Sequence, residues 1–143
     1  MRIRSMNLNL PPWSVFHHDL RLLVCRPRGI VDEAVLEKTV DLLEAAEREA
    51  TEPFNRYIDL SQIDAVDLRW EFLFENGLRR RATRAKEPPV KAAMYVTSKA
   101  TRRVAQTHAL LTENSPLQVR VFQEELAAAD WLGVRVEDLS VAA

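Results

Sequence analysis

The sequence has few of the residues and segments that mark specialised classes of protein. It contains one cysteine and three glycines in 143 residues, so an internal disulfide and a glycine-rich phosphate-binding loop are both excluded. It has no apolar run long enough to cross a bilayer, and its first residues lack the apolar segment of a signal peptide. These absences predict a protein of the reducing cytoplasm, without a transmembrane segment.

An excess of charge of either sign is also missing. The chain has 20 Lys and Arg residues against 21 Asp and Glu residues, which gives no general attraction to nucleic acid or to an anionic membrane. The charges are nevertheless uneven, because the segment 78–103 holds nine basic residues and only one acidic residue, Glu87. Consecutive arginines point in different directions around a helix, so we interpret this segment as solvated helix faces, with docking of a charged partner as the alternative.

What the sequence does contain is the composition of one globular domain. It is 47% hydrophobic and 29% charged, which is typical of a folded protein of this length. No repeat and no Gly/Ser-rich linker divides it. We predict an irregular N-terminal arm over residues 1–12, a single domain over residues 13–134 and a C-terminal tail over residues 135–143.

Extended and helical segments alternate along the chain. Two short apolar runs, 13–18 and 21–26, predict an antiparallel pair joined by a tight turn. After this pair, three strands are predicted, over 56–60, 90–96 and 119–122. Four helices are also predicted: the first follows Asp32, the second begins near Leu68, the third follows Ser98 and the last begins at Glu124. This order predicts an α/β fold with a single mixed, mostly parallel sheet of about five strands and about four helices.

The predicted second helix is apolar on more than one face. Its core-facing stripe is predicted to contain Trp70, Phe74, Gly77 and Leu78. Because Phe72 and Leu73 widen the apolar surface beyond one stripe, two interpretations stay open. One is deep burial between the sheet and a neighbouring helix, and the other is an exposed surface of Trp70, Phe72 and Phe74 that contacts a second copy of the chain or an apolar ligand.

Acidic residues gather where the predicted strand 56–60 ends. Carboxyl ends of parallel strands form the sheet edge at which ligands and partners usually bind. The residues that we predict to bind a partner at this edge are Asp59, Ser61, Asp64, Asp67 and Arg69. Asp67 is also the predicted N-cap of the second helix. No histidine or cysteine nearby completes a catalytic mechanism, and the spacing matches no calcium-binding loop, so we predict no enzyme activity, no metal and no cofactor.

The histidines and the cysteine have simple structural interpretations. His17 and His18 are adjacent on a predicted strand, so their side chains point to opposite faces and do not share a metal ion. His108 falls on the buried side of the third helix, where a hydrogen-bonded core histidine is common. Cys25 ends an apolar run, which predicts a buried and unreactive thiol.

Three segments in order resemble the STAS domain, the fold of anti-sigma-factor antagonists, and more closely its bacterial STAS-like relatives. They are VCRPRGIVD (24–32), RYIDLSQIDAVD (56–67) and VRVFQEELAAADWLGV (119–134). The resemblance implies a fold shared with the CRAL-TRIO lipid carriers. In the STAS family the second helix opens with an Asp-Ser-Ser-Gly segment whose second serine is phosphorylated, whereas here Asp67 is followed by Leu68, Arg69 and Trp70. The usual phosphate acceptor is therefore missing, and Ser61 is the alternative on the same loop.

The resemblance implies a non-enzymatic regulatory or protein-interaction module whose partner is an unidentified protein or a second copy of the chain. The alternative is a module that binds a lipid or another hydrophobic small molecule. The apolar second helix and the kinship with lipid carriers favour that alternative.

Overall fold

The computed structural model describes residues 13–140, so the predicted arm over residues 1–12 lies outside the described part of the chain. The strands are β1 Ser14–His17, β2 Leu22–Cys25, β3 Gly29–Asp32, β4 Asn55–Asp59, β5 Ile63–Asp67, β6 Val90–Tyr95 and β7 Leu117–Phe122. The helices are α1 Glu33–Glu49, α2 Trp70–Thr83, α3 Lys99–Leu111 and α4 Glu125–Leu132, followed by a 3-10 helix, Val136–Leu139.

Five of the strands form one mixed sheet in the order β1-β2-β4-β6-β7. The β1 and β2 strands are antiparallel, with Ser14 opposite Cys25, and every other neighbouring pair is parallel. Parallel neighbours need long crossover connections, and helices supply those connections here. The predicted α/β fold, with a mostly parallel sheet and an antiparallel first strand, is confirmed.

The two faces of this sheet are covered by different helices. On one face, Tyr57 of β4 packs with Ala93 of β6 against Ala128 and Ala129 of α4. Alternate residues of a strand point to the opposite face of the sheet. Ile58 lies on that second face, which is covered by α1, α2 and α3. The protein is therefore a three-layer sandwich, with one helix on one side of the sheet and three on the other.

A second, two-stranded sheet lies apart from the main one. In it β3 and β5 run parallel, with Val31 opposite Val66 and Asp32 opposite Asp67. The sequence predicts a loop at Asp64, and that prediction is wrong, because Asp64 lies within β5, where Ile63 and Val66 are half-buried and the two residues between them are exposed.

The same strand changes the role of Asp67. Asp67 ends β5, and α2 begins three residues later at Trp70 with Arg69 at the N-cap position and no capping bond from its side chain. The prediction of Asp67 as an N-cap is wrong, because the backbone of this segment pairs with β3 and does not turn into the helix.

Local signals at the other helix ends agree with the sequence. Asp32 Oδ1 accepts a hydrogen bond of 2.9 Å from the Val35 amide, and Ser98 Oγ accepts one of 3.1 Å from the Thr101 amide. Gly133 follows α4 with a φ of 76°, the left-handed conformation that glycine adopts most easily. Beyond it, Leu139 of the 3-10 helix is buried in the core beside Leu132.

The orientation of α2 differs from the predicted one. Trp70, Phe74 and Leu78 are 44%, 47% and 54% exposed, so the predicted core-facing stripe is wrong at three of its four positions. The buried residues of α2 are Leu73, Asn76, Gly77 and Arg80. Two polar residues therefore face inward while aromatic residues face solvent, which is the reverse of what hydrophobic periodicity predicts.

Gly77 is the one residue of the predicted stripe that is buried, and its lack of a side chain brings α2 close to α3. A Cβ atom at position 77 would lie 2.7 Å from Leu111 Cδ1 and 3.1 Å from Leu111 Cβ. An alanine at position 77 would therefore require the Leu111 side chain to shift.

Candidate functional site

Asp59 and Ser61 lie together at the end of β4, but Asp59 is only 2% exposed. Asp59 Oδ2 accepts a hydrogen bond of 2.9 Å from Arg26 Nε, and Asp59 Oδ1 accepts one of 2.9 Å from the Ser61 amide. The carboxylate thus ties the end of β4 to the segment after β2. Both carboxylate oxygens of Asp59 therefore accept hydrogen bonds from within the protein.

The remaining predicted partner-binding residues lie on the surface. Asp64 and Asp67 are exposed on β5. Arg69 donates two side-chain hydrogen bonds to the carboxylate of Glu33, at 2.7 and 2.9 Å, and its amide donates a third at 3.1 Å. These bonds hold the pKa of Glu33 below its usual range, and they connect the first residues of α1 and α2.

The described residues offer no metal site and no membrane span. Within residues 13–140, no group of three or more His, Cys, Asp or Glu side chains could hold a metal ion. In the same range, no helix is both long enough and apolar enough to cross a membrane.

A cavity of about 160 Å³ lies between the main sheet and the layer formed by α1, α2 and α3. We call it the interior cavity. Apolar side chains from the sheet and the helices form most of its wall, among them Cys25, Val40, Ile58, Ala92, Met94 and Val104. The sheet supplies one wall and the helices supply the other, so no single segment of the sequence contains the site.

Four polar side chains that contribute to the wall carry the strongest hydrogen-bonding groups. They are Arg56, Asn76, Arg80 and His108. Arg56 is 3% exposed and Arg80 is 4% exposed. Charged side chains are almost never buried to this degree unless they are paired.

Two glutamates of α1 pair with these arginines. Glu47 Oε2 lies 2.6 Å from Arg56 Nη1 and 2.6 Å from Arg84 Nη1, and Glu44 Oε2 lies 3.1 Å from Arg80 Nη1. We call these five residues the ionic cluster. It joins α1, β4 and α2 on the helix-covered side of the sheet.

The environment of the ionic cluster shifts the pKa values of its members. Burial raises the pKa of Glu47, but the attraction of Arg56, Arg80 and Arg84 outweighs burial, so the net shift is downward. Burial lowers the pKa of Arg56, and Glu47 opposes that shift.

His108 is neutral at pH 7. Burial lowers the pKa of its imidazole to about 4, and the positive charges of Arg80 and Arg56 act in the same direction. An uncharged imidazole provides one hydrogen-bond donor and one acceptor.

Cys25 belongs to the wall of the same cavity. The thiol is buried, as predicted, and burial raises its pKa to about 12. The thiolate is the nucleophilic form of cysteine, so this side chain contributes apolar surface to the cavity and no reactive group at neutral pH.

An exposed apolar stripe runs along the outer face of α2. Trp70, Phe74 and Leu78 form it, four residues apart, and the rings of Trp70 and Phe74 are 6.3 Å apart. The guanidinium of Arg103 in α3 lies 5.5 Å from the centre of the Trp70 ring. Phe72, which was predicted to share this surface, is half-buried.

The interior cavity and the ionic cluster were both missed in the sequence. A hint of the cluster was present, because Arg56 and Asp59 interrupt an otherwise apolar strand, and a charge inside such a strand indicates a buried partner. The sequence did not indicate where the partner of Arg56 lies, because that partner, Glu47, is on α1 and not on the strand.

Comparison with known proteins supports the fold. No protein-family model matches the sequence, and no curated protein matches it either. A solved structure of an uncharacterized protein from the DUF3478 family, with a SpoIIAA-like fold and from Shewanella loihica PV-4, is 20% identical to this chain. The match covers 78% of this chain and 83% of that chain, with a TM-score of 0.51. The chain therefore has a SpoIIAA-like fold, which confirms the STAS-like fold predicted from the sequence.

Proposed function

We propose that this protein is a non-enzymatic binding module whose interior cavity holds a small apolar molecule. The volume of the cavity, about 160 Å³, carries the proposal. Protein interiors are packed as densely as organic crystals, and voids larger than a water molecule are few. An engineered apolar cavity of about 150 Å³ binds benzene, so a void of this size is sufficient for a small ligand.

The energetics of an empty cavity support a binding role. Residual cavities left by truncated core side chains cost about 24 cal/mol per Å³, so unfilled apolar space beside the sheet is unfavourable in the unliganded protein. A natural sequence could remove most of that cost with larger side chains at Ala92 or Val104. Small residues at these positions are explained if a ligand fills the space in the functional state.

The composition of the wall also favours binding over catalysis. Ligand sites are mostly apolar, with a few polar groups that orient the ligand. Here the charged groups are engaged in ion pairs, and the nearby thiol of Cys25 is protonated at neutral pH because its pKa is about 12. A nucleophile paired with a base, the arrangement that covalent catalysis requires, is not found among the described cavity residues.

A cavity-filling substitution tests this proposal. Ala92→Leu adds apolar bulk inside the cavity, and we expect it to lower the affinity for octanol at least tenfold, while the melting temperature stays equal or rises because the void is partly filled. Isothermal titration calorimetry with octanol and thermal unfolding without ligand measure the two effects.

Ala127→Leu is the matched control for this experiment. Ala127 is exposed on α4, on the opposite side of the sheet, so the same substitution there is expected to leave octanol binding unchanged. If the wild-type protein does not bind octanol, or if both variants bind it as tightly as the wild type does, the cavity is not a ligand site.

Protein interaction is the second candidate function, and the exposed stripe Trp70, Phe74 and Leu78 favours it. Three large apolar side chains at helical spacing form a contiguous patch, and such patches mark contact surfaces. We propose a second copy of the chain as the occupant of this patch. The predicted partner-binding residues Asp64, Asp67 and Arg69 precede α2 in the sequence and would contribute charge at the border of the contact. Ser61 as a phosphate acceptor stays a prediction.

Sedimentation velocity tests the second candidate. We expect the wild-type protein to sediment as a dimer, and the double variant Trp70→Glu with Phe74→Glu to sediment as a monomer, because two carboxylates would have to be desolvated in the contact. Leu126→Glu, on the exposed face of α4, is the control and should remain dimeric. A wild-type protein that is monomeric at all concentrations removes self-association through α2.

A further inference from the structure

The interior cavity is apolar over most of its wall, but the charged side chains that contribute to that wall are all cationic. Arg56 and Arg80 line it. No aspartate or glutamate lines it among the residues that the structure describes. The carboxylates that neutralise these arginines, Glu44 and Glu47, belong to the ionic cluster but do not contribute to the cavity wall. The face of the cluster that meets the cavity is therefore positive.

The ionic cluster as a whole carries an excess of positive charge. It contains three guanidinium groups and two carboxylates. One Glu47 oxygen serves both Arg56 and Arg84, which leaves one positive charge without a counter-charge of its own. His108 adds no charge at pH 7 because the pKa of its imidazole is about 4. An uncompensated charge inside a protein is unfavourable, so an anion beside these arginines would be stabilising.

Arg56 also has unused hydrogen-bonding capacity. Its Nε–H is buried and has no partner in the described part of the chain. Its Nη1 is already paired with Glu47 Oε2 at 2.6 Å, and its Nη2 donates only a long bond of 3.4 Å to the Phe54 carbonyl. Buried donors are almost always satisfied in folded proteins. A planar carboxylate is the acceptor that best fits a guanidinium edge.

We propose that the ligand of the interior cavity is an anionic amphiphile, a small monocarboxylic acid whose carboxylate meets Arg56 and Arg80 while its apolar chain lies along Ile58, Ala92 and Met94. The inference rests on the proposed function, because it presumes that the cavity holds a ligand. It adds the chemical class of that ligand and the side chains that select it. The wall residues supply apolar contact for the chain, and the two arginines supply charge and hydrogen bonds for the head group.

Three probes with the same apolar chain test the inference on the wild-type protein. Calorimetric titration at pH 7 with octanoate, octanol and octylamine measures the effect of the head group alone. We expect octanoate to bind at least tenfold more tightly than octanol, and octylamine to bind more weakly than either, because a second cation beside Arg56 is repelled.

Two substitutions with the same chemistry identify the arginine that is responsible. Arg56→Lys keeps the charge of the ionic cluster but loses the planar edge of the guanidinium, and we expect it to reduce the preference for octanoate over octanol by at least fivefold. Arg120→Lys is the control, because Arg120 is exposed on β7 and its guanidinium lies 5.4 Å from the Trp131 ring, on the α4 side of the sheet. It should leave the preference unchanged.

The outcomes separate this inference from the function on which it rests. Equal affinities for octanoate and octanol would overturn the anionic ligand and leave the apolar binding site standing. A failure of both probes to bind would overturn both proposals. If Arg56→Lys keeps the full preference of the wild type, Arg56 is not the residue that recognises the carboxylate, and the inference fails at that point.

Discussion

Replacing Glu47 with glutamine is expected to lower the free energy of unfolding by about 3–5 kcal/mol, the range found when one partner of a buried ion pair is removed. Glu47 Oε2 lies 2.6 Å from both Arg56 and Arg84, and both arginines are buried. Glutamine has almost the same shape as glutamate but no charge. The substitution therefore leaves two buried guanidinium groups without their counter-ion while changing packing very little. Urea unfolding at pH 7 measures the effect.

Glu37→Gln is the matched control for this prediction. Glu37 is on the same helix, α1, but it is exposed, and surface substitutions usually change stability by less than about 0.5 kcal/mol. Glutamate and glutamine have similar helix propensities, so α1 itself is unaffected in both variants. Equal stabilities of the Glu47→Gln and Glu37→Gln proteins would show that the ionic cluster does not hold the helix layer to the sheet.

Acidification from pH 7 to pH 4 is expected to cost about 3 kcal/mol of stability through His108 alone, from the roughly 2.5-unit difference between its two pKa values at about 1.4 kcal/mol per unit. The imidazole has an ordinary pKa of 6.5 in the unfolded chain and a pKa of about 4 in the folded protein. Between these values the unfolded state binds a proton that the folded state does not bind. The contribution is thus fully present above pH 6.5 and is lost as the pH falls toward 4.

Glu47 acts in a lower pH range, so the two groups can be separated. Its pKa is lowered in the folded protein from an ordinary value of 4.5, which means that its stabilising contribution is present above pH 4.5 and is lost below it. The slope of stability against pH between 6.5 and 4.5 therefore reports mainly on His108.

Substitution of each of two histidines by glutamine tests the assignment to His108. In the His108→Gln protein, the free energy of unfolding should be nearly constant between pH 6.5 and 4.5, because glutamine does not titrate. His18→Gln, at an exposed position after β1, should keep the slope of the wild type. An unchanged slope in His108→Gln would mean that another group takes up the proton on unfolding.

These stability effects and the proposed binding function depend on the same residues. Arg56 and Arg80 are held in place by Glu47 and Glu44, and they also contribute to the wall of the interior cavity. A void and an excess positive charge both reduce stability in the unliganded protein. Natural proteins accept such local costs at functional sites, and a bound carboxylate with an apolar chain would offset both.

Much of the fold was predictable because its signals are local. A helix N-cap such as Asp32 or Ser98 acts through a side chain and an amide three residues away, and Gly133 ends α4 through its own backbone conformation. The pairing of β1 with β2 needs only a short turn. Features of this kind depend on neighbours in the sequence, so residue type and spacing are sufficient to predict them.

The sequence by itself determined the alternation of strands and helices, the N-caps of α1 and α3, the end of α4 and the burial of Cys25. Only the tertiary structure decided the pairing of β3 with β5, the rotation of α2 and the existence of the interior cavity. The physical reason is that these features belong to spaces between elements. On the inward face of α2, Arg80 pairs with Glu44 thirty-six residues earlier. The cavity is bounded by residues from several elements. Hydrophobic periodicity describes one helix or strand at a time, so it predicts neither an ion pair between two elements nor a cavity among several.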